Sequence, residues 1–214
     1  LFVTFEGGDG SGKTTQIKRL ISRLRLLNVP VLETAEPGGP PIGQQIRRIL
    51  LDPENKEMDA TAELLLYFAA RAQNVNQWIL PALSSGRVVV CDRFTDSTLV
   101  YQGYGRGLGV QVVRTLHRIA CGALKPDITI YLDIDLETAL ERVHARNRER
   151  NGPAETRMDE QSVEFHRAVR AAYLKLAQQE PGRIRVVDAR LDADAVERQV
   201  WNVLAPRVEA LRAG

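Results

Sequence analysis

Five short apolar runs set the folding problem for this chain: Leu1–Phe5, Val29–Leu32, Val88–Cys91, Ile128–Leu132 and Ile184–Val187. Four of them are rich in Val or Ile, the composition of strands buried on both faces. Amphipathic stretches lie between them. Ile17, Leu20, Ile21, Leu24 and Leu27 share one helical face, as do Phe165, Ala168, Val169, Ala172 and Leu176. Val196, Val200, Val203 and Leu204 repeat the pattern near the end. Strand–helix alternation of this kind predicts an α/β chain, a parallel sheet flanked by helices, folded as one domain over 1–214. A chain of 214 residues buries roughly 70% of its unfolded surface and needs no covalent staples.

Charge and cysteine usage narrow the function classes. The 29 basic and 27 acidic side chains leave a net charge of +2. A protein that binds nucleic acid by neutralising phosphates carries a larger, clustered excess, so nucleic acid is not an expected partner. The longest strictly apolar run, Leu64–Ala70, is far below the ~20 residues of a membrane span, so no membrane is expected either. Cys91 and Cys121 are too far apart in sequence to pair as metal ligands, and two cysteines make no disulfide framework. A reducing, cytoplasmic setting is the expectation. Any affinity for phosphate must be local.

That local signal is Gly7-Gly8-Asp9-Gly10-Ser11-Gly12-Lys13-Thr14. It fits G-x-x-x-x-G-K-[ST] at every fixed position, follows a predicted strand and opens a predicted helix. Glycines there let backbone N–H groups turn inward as an anion-binding nest at a helix N-terminus. Lys13 is expected on the β- and γ-phosphates of a nucleotide, and the Thr14 hydroxyl on Mg²⁺. Such a site also needs an acid at the end of a neighbouring apolar strand. Asp92, Asp133 and Asp188 all end apolar runs. Arg93, directly after Asp92, tips the choice, because a cation beside the metal acid suits a second phosphate at the ligand-binding edge of a parallel sheet. Hydrolase, switch and kinase remain open on this motif alone. The base-reading N-K-x-D of a guanine switch is missing: the one Asn-Lys, Asn55-Lys56, continues Glu57-Met58.

Two segments break the rhythm. Glu36–Pro41, EPGGPP, is punctuated by Pro and Gly and is not expected to be regular structure. Arg142–Arg157 holds five arginines (142, 146, 148, 150 and 157) around an Asn151-Gly152-Pro153 break. It is either a solvated loop or a mobile lid that closes on an anionic ligand. His117, His144 and His166 have no obvious partners and are read as structural or surface residues.

Taken together, these residues resemble the thymidylate kinase family, in its bacterial form, over nearly the whole chain. The markers are the glycine loop with Asp9 inside it, Glu36-Pro37-Gly38-Gly39, Leu64–Arg71 (LLLYFAAR), and Asp92-Arg93-Phe94-Thr95-Asp96-Ser97 followed by Tyr101-Gln102-Gly103. Arg157-Met158-Asp159 completes the order. The resemblance implies a five-stranded P-loop kinase fold with a lid at about 142–158, working as a homodimer. It implies transfer of the γ-phosphate of ATP to dTMP, giving dTDP and ADP, with Mg²⁺. ATP binding falls to Gly7, Gly8, Asp9, Gly10, Ser11, Gly12, Lys13, Thr14 and Thr15, with Arg142, and the metal to Thr14 and Asp92. On the acceptor side, Arg93 matches the arginine on the dTMP phosphate and Asp9 the acid on its sugar. Tyr67 matches the ring that stacks on thymine, and Arg71 the arginine at the base's carbonyl edge. Thr98 and Gln102 help hold the base, and Tyr101 crowds the 2′ position. For Tyr67 and Tyr101 plain core packing is the alternative. No arginine lies inside the glycine loop, so Arg146 and Arg157 are expected to join Lys13 and Arg93 as the catalytic cations. The chain departs from the family at Ala35, where an Arg is usual, and at Pro40, where Thr is common. Arg47 or Arg48 on the next helix is the expected replacement for the missing cation. Two other readings stay open: a kinase for another nucleoside monophosphate, and a nucleotide-gated binding protein.

Overall fold

The computed structural model describes residues 1–149 and 162–213. The chain runs β1 (Phe2–Glu6), α1 (Lys13–Leu26), β2 (Val31–Ala35), α2 (Pro41–Leu51) and α3 (Ala60–Asn74). A wide π-type turn, Val75–Ile79, carries α3 on into α4 (Leu80–Ser84). Next come β3 (Val88–Asp92), α5 (Thr95–Thr98) and a second π-type stretch, Leu99–Gly105. The rest is α6 (Val110–Cys121), β4 (Ile128–Asp133), α7 (Leu136–Glu149), α8 (Val163–Gln179), β5 (Ile184–Asp188) and α9 (Ala193–Ala213).

The strands form one parallel sheet in the order β2-β3-β1-β4-β5. Successive residues of a strand face opposite sides, and the packing follows. Val3 and Phe5 of β1 join Val88 and Val90 of β3 under α1 and α9, against Ile17, Leu20, Leu24, Val196, Val200 and Leu204. Phe2, Val89 and Cys91 face the other way, against Val75, Ile79 and Phe94. A third cluster, including Phe68, Tyr101, Tyr131 and Tyr173, lies under α3 and α8. β1 is central, with crossovers to both sides, and in α/β sheets ligands bind in the crevice at such a switch point, outside the strands' carboxyl ends.

Three expectations shift. The second strand starts at Val31, not Val29. Asn28 adopts a left-handed φ of 55°, its N–H bonds to the Arg25 carbonyl, and the Val29 N–H bonds back to Leu24. That bond pair closes helix α1, so Val29 is apolar because it packs under the helix end. Pro41 is the first residue of α2 rather than the last of the irregular segment, a position where its fixed φ and missing N–H cost nothing. The outer strands β2 and β5 are partly exposed, as edge strands are, whereas β1, β3 and β4 are buried on both faces.

Candidate active site

The glycine loop joins the carboxyl end of β1 to α1. Gly10 has φ +76°, and a Cβ there would strike the Ala139 backbone of α7. A Cβ at Gly7 would lie 2.8 Å from the Leu132 carbonyl. Glycine is thus required where the loop is pressed against β4 and α7. Asp9, Gly12, Thr14 and Thr15 are exposed, Gly8 is half-buried and Ser11 is buried. Lys13 is buried, and its Nζ donates to the carbonyls of Gly7 at 2.8 Å and Gly8 at 3.1 Å. Burial, then the nearby positive charge of Arg93, lowers its pKa to about 8.

Asp92 ends β3, in register with Phe5 of β1. Its Oδ1 is buried without a hydrogen-bond partner among the described residues, as is the Ser11 Oγ. Arg93 follows with φ +67°, rare for a residue with a Cβ. Two bonds from backbone N–H groups hold that turn: Arg93 N–H to the Phe5 carbonyl at 2.9 Å, and Phe94 N–H to the Glu6 side chain at Oε1, 2.8 Å. The guanidinium lies 5.2 Å from the Tyr101 ring centre and 3.9 Å from Glu6 Oε2. Tyr101 in turn packs edge-on against Tyr173, whose hydroxyl donates to Glu6 at 2.7 Å.

A cavity of about 270 Å³ opens between these elements. Asp9, Lys13, Thr14, Arg47, Tyr67, Arg71, Asp92, Arg93, Thr98, Tyr101 and Gln102 all line it, so residues spread over 94 positions of sequence meet at one cleft. Arg71 is 2% exposed and pairs through Nε with Glu36, while its Nη2 donates to Thr98 Oγ1 at 2.9 Å. Gln102 Nε2 donates to Glu63 Oε1 at 2.8 Å. Arg47 reaches the cavity and donates to the Pro37 carbonyl at 2.7 Å, beside Ala35 in the same wall. Arg48 is exposed and not part of that lining.

Arg142 lies apart from the cavity. It donates to the backbone carbonyls of Ala189 at 2.7 Å and Arg190 at 3.0 Å, at the end of β5. The helix α7 reaches Glu149, so the first half of the basic segment is helical. The Arg146 side chain and Arg157 lie outside the described residues, as does most of the lid expected at about 142–158.

Several residues at this site were not expected from sequence. Glu6 and Glu63 are buried carboxylates beneath it, and Glu36 is an anchor rather than merely part of a turn. Glu63 had a readable signal, since Glu63, Tyr67, Arg71 and Asn74 recur at helical spacing on α3. His166, expected to be structural or surface, lines the cavity. His117 has a partner after all, with Nδ1 2.8 Å from Thr95 Oγ1. His144 is exposed.

A strand, a glycine loop and a helix, with an Asp-Arg pair at the end of the neighbouring strand and one cavity that the loop's Lys13 and Thr14 share with Tyr67, Arg71 and Arg93, define a P-loop phosphotransferase of the nucleotide-kinase class. The comparisons then narrow the class. The family model described as thymidylate kinase matches residues 5–200. A thymidylate kinase of Syntrophotalea carbinolica is 52% identical over 200 residues, covering 94% of this chain and 93% of the relative. One of Geobacter sulfurreducens is 49% identical, covering 97% of each. The crystal structure of thymidylate kinase from Ehrlichia chaffeensis superposes with a TM-score of 0.76 at 32% identity, covering 96% of this chain and 98% of that one. The chain belongs to the thymidylate kinase family. Its activity is that of a phosphotransferase, a dTMP kinase, and the fold is the P-loop kinase fold.

Proposed function

We propose that the glycine loop seats the phosphates of ATP, that the 270 Å³ cavity seats dTMP, and that residues 1–214 act as one catalytic domain. The observation that carries this reading is the buried Nη1 of Arg71, which has no acceptor among the described residues and borders the same cavity as Tyr67. A buried charged donor without a partner is costly, and a thymine carbonyl above it would remove that cost. Tyr67 would supply the stacking surface, which any base accepts, while Arg71 supplies the discrimination.

No general base is required. A nucleoside monophosphate has a second pKa of ~6, so its attacking oxygen is already ionised at neutral pH. Catalysis then rests on alignment and on neutralising charge over a loose transition state. Arg93, held by the turn that Glu6 and Phe5 enforce, would grip the acceptor phosphate, with Arg47 adding charge beside Ala35. Lys13 would exchange its bonds to the Gly7 and Gly8 carbonyls for phosphate oxygens, whose charge raises its lowered pKa again. Asp9 and Tyr101 would flank the sugar. Thr98 and Gln102 act behind the base, since each already serves a buried partner.

The donor set fits Mg²⁺. Among the described residues no cluster of three or more His, Cys, Asp or Glu forms a protein cage, and Mg²⁺ is ordinarily held by one or two protein groups together with phosphates and waters. Thr14, exposed at the head of α1, and Asp92, with its unpartnered Oδ1, would hold it. When bound it would neutralise the β- and γ-phosphates. Arg146 and Arg157, outside the described residues, are the proposed additional cations, with Arg142 holding the donor side.

A homodimer is supported by Leu65 of α3 and by Val112 and Ile119 of α6, apolar side chains that are 51%, 48% and 75% exposed; sedimentation equilibrium tests it. Among the described residues no helix is long and apolar enough to cross a membrane. The two buried free thiols, Cys91 and Cys121, support a reducing cytoplasm. A coupled ADP-release assay across nucleoside monophosphates tests the central reading: dTMP is expected to have the highest kcat/KM, and an equal value for dCMP would overturn it.

A further inference from the structure

Arg71 can present its guanidinium to a base in a defined direction only if something holds the group. The guanidinium is planar, with five N–H donors in a rigid fork. Nε is bound to Glu36, and Nη2 to Thr98 Oγ1 at 2.9 Å. The rings of Phe68 and Phe94 lie 4.9 and 5.1 Å from its centre. With two corners of the plane fastened, the third corner, Nη1, has no freedom left. It is the one corner without an acceptor among the described residues.

Glu36 is itself secured on every side. Its Oε1 accepts from Asn74 Nδ2 at 3.1 Å, and Asn74 Oδ1 accepts from Thr34 Oγ1 at 3.0 Å. Its backbone N–H bonds to the Asp92 carbonyl at 2.9 Å. Asn74 lies three residues beyond Arg71 on the same helix, so Glu36 bolts the end of β2 to two adjacent turns of α3. The carboxylate is 1% exposed and the arginine 2%. A buried pair like this is weak evidence for added stability, since desolvation offsets much of the attraction. Its value lies in direction.

We infer that Glu36 is the positioning residue for base selection: by clamping Nε of Arg71 it aims Nη1 at the base, so that a carbonyl there is accepted and an amino group refused. This rests on the reading of Arg71 as the base-contacting residue. Thymine offers an acceptor at position 4, and cytosine offers an amino donor at the same place. A donor facing a donor leaves two buried polar groups unpaired, the most effective way for a pocket to reject a near-isostere. Without the Glu36 charge, the guanidinium is free to swing toward the cavity or toward another acceptor, and the refusal weakens.

The test compares Glu36→Gln, Arg71→Ala and the double variant, measuring kcat/KM for dTMP and for dCMP at saturating ATP. The dTMP-to-dCMP ratio is the readout, because a general loss of stability lowers both substrates together and leaves the ratio alone. Glu36→Gln is expected to lower the ratio about tenfold, the loss of one charge-assisted hydrogen bond, chiefly through a higher KM for dTMP. The double variant is expected to discriminate no worse than Arg71→Ala, since both changes act through one group. If Arg71→Ala leaves the ratio at the wild-type value, the base-contact reading fails and the inference with it. If Arg71→Ala lowers the ratio and Glu36→Gln does not, the base-contact reading stands and the inference is overturned. Should Glu36→Gln fail to fold, Asn74→Ala removes the second anchor of the same carboxylate. It is expected to lower the ratio by a smaller factor, and an unchanged ratio there overturns the inference.

Discussion

The two halves of the cleft are built by different means. In the proposed reading the donor side is local backbone: Lys13 bonds to carbonyls five and six residues before it, and four of the eight motif residues are glycine. The acceptor side is a set of buried side-chain clamps between distant segments. Glu36 meets Arg71, Glu63 meets Gln102, and Glu6 meets Phe94, at separations of 35, 39 and 88 residues. A phosphate chain is the same on every nucleotide, and a nest of N–H groups suffices for it. A particular base needs polar groups in particular directions, which only anchored side chains supply.

If that contrast is right, substitutions on the two sides fail differently. The largest effect is expected from Lys13→Ala, which on the proposed reading removes the charge beside the transferred phosphoryl group: kcat should fall about 10²–10³-fold. Stability should hold or rise, because the wild-type amine is buried and its pKa is depressed to about 8, a sign that the fold gains nothing from its charge. A melting temperature that drops along with kcat would show that Lys13 is part of the framework. Arg93→Ala comes next. It is expected to raise the KM for dTMP and lower kcat, together by about 10²-fold, leaving the KM for ATP within about threefold. An equal rise in both KM values would erase the boundary between donor and acceptor sides.

The same contrast explains what the sequence disclosed. The strand–loop–helix unit and the alternating runs are contiguous, so the sheet, the flanking helices and the glycine loop were legible. Strand edges shift by at most one residue except at β2, which starts two later, because Val29 closes a helix, and runs on to Ala35; Pro41 opens α2. Tyr67, Arg71 and Tyr101 were expected from the resemblance to a family and Arg93 already from its place after Asp92, and all four line one cavity. Their anchors were not expected. Glu6 follows the apolar run Leu1–Phe5 and reads as the first polar residue of a loop, although it ends β1 and is fully buried. Nothing in one dimension pairs it with a tyrosine 167 residues away. Carboxylates that serve a site from beneath leave no periodic trace, except where, as on α3, one helix carries both the anchor and the residues it supports.

The smallest effect is the most specific to the buried side. Burial raises the Glu6 carboxyl to about 7, against the opposing pull of Arg93. In the unfolded chain its pKa is near the ordinary carboxyl value of 4.5. Between these values the folded protein keeps a proton that the unfolded chain has given up. Glu6 therefore contributes stability that is fully present below about 4.5 and is lost as pH rises through about 7. Glu6→Gln removes that titration while keeping an oxygen for the Phe94 N–H, and the Tyr173 hydroxyl can turn to accept from the amide. Urea unfolding of both proteins from pH 4 to pH 8 is the measurement. The wild type should lose stability relative to the variant across this window, by no more than about 3 kcal/mol. Parallel curves would mean that Glu6 titrates as an ordinary carboxylate, and that its bonds to Phe94 N–H and Tyr173 offset the cost of burying its charge.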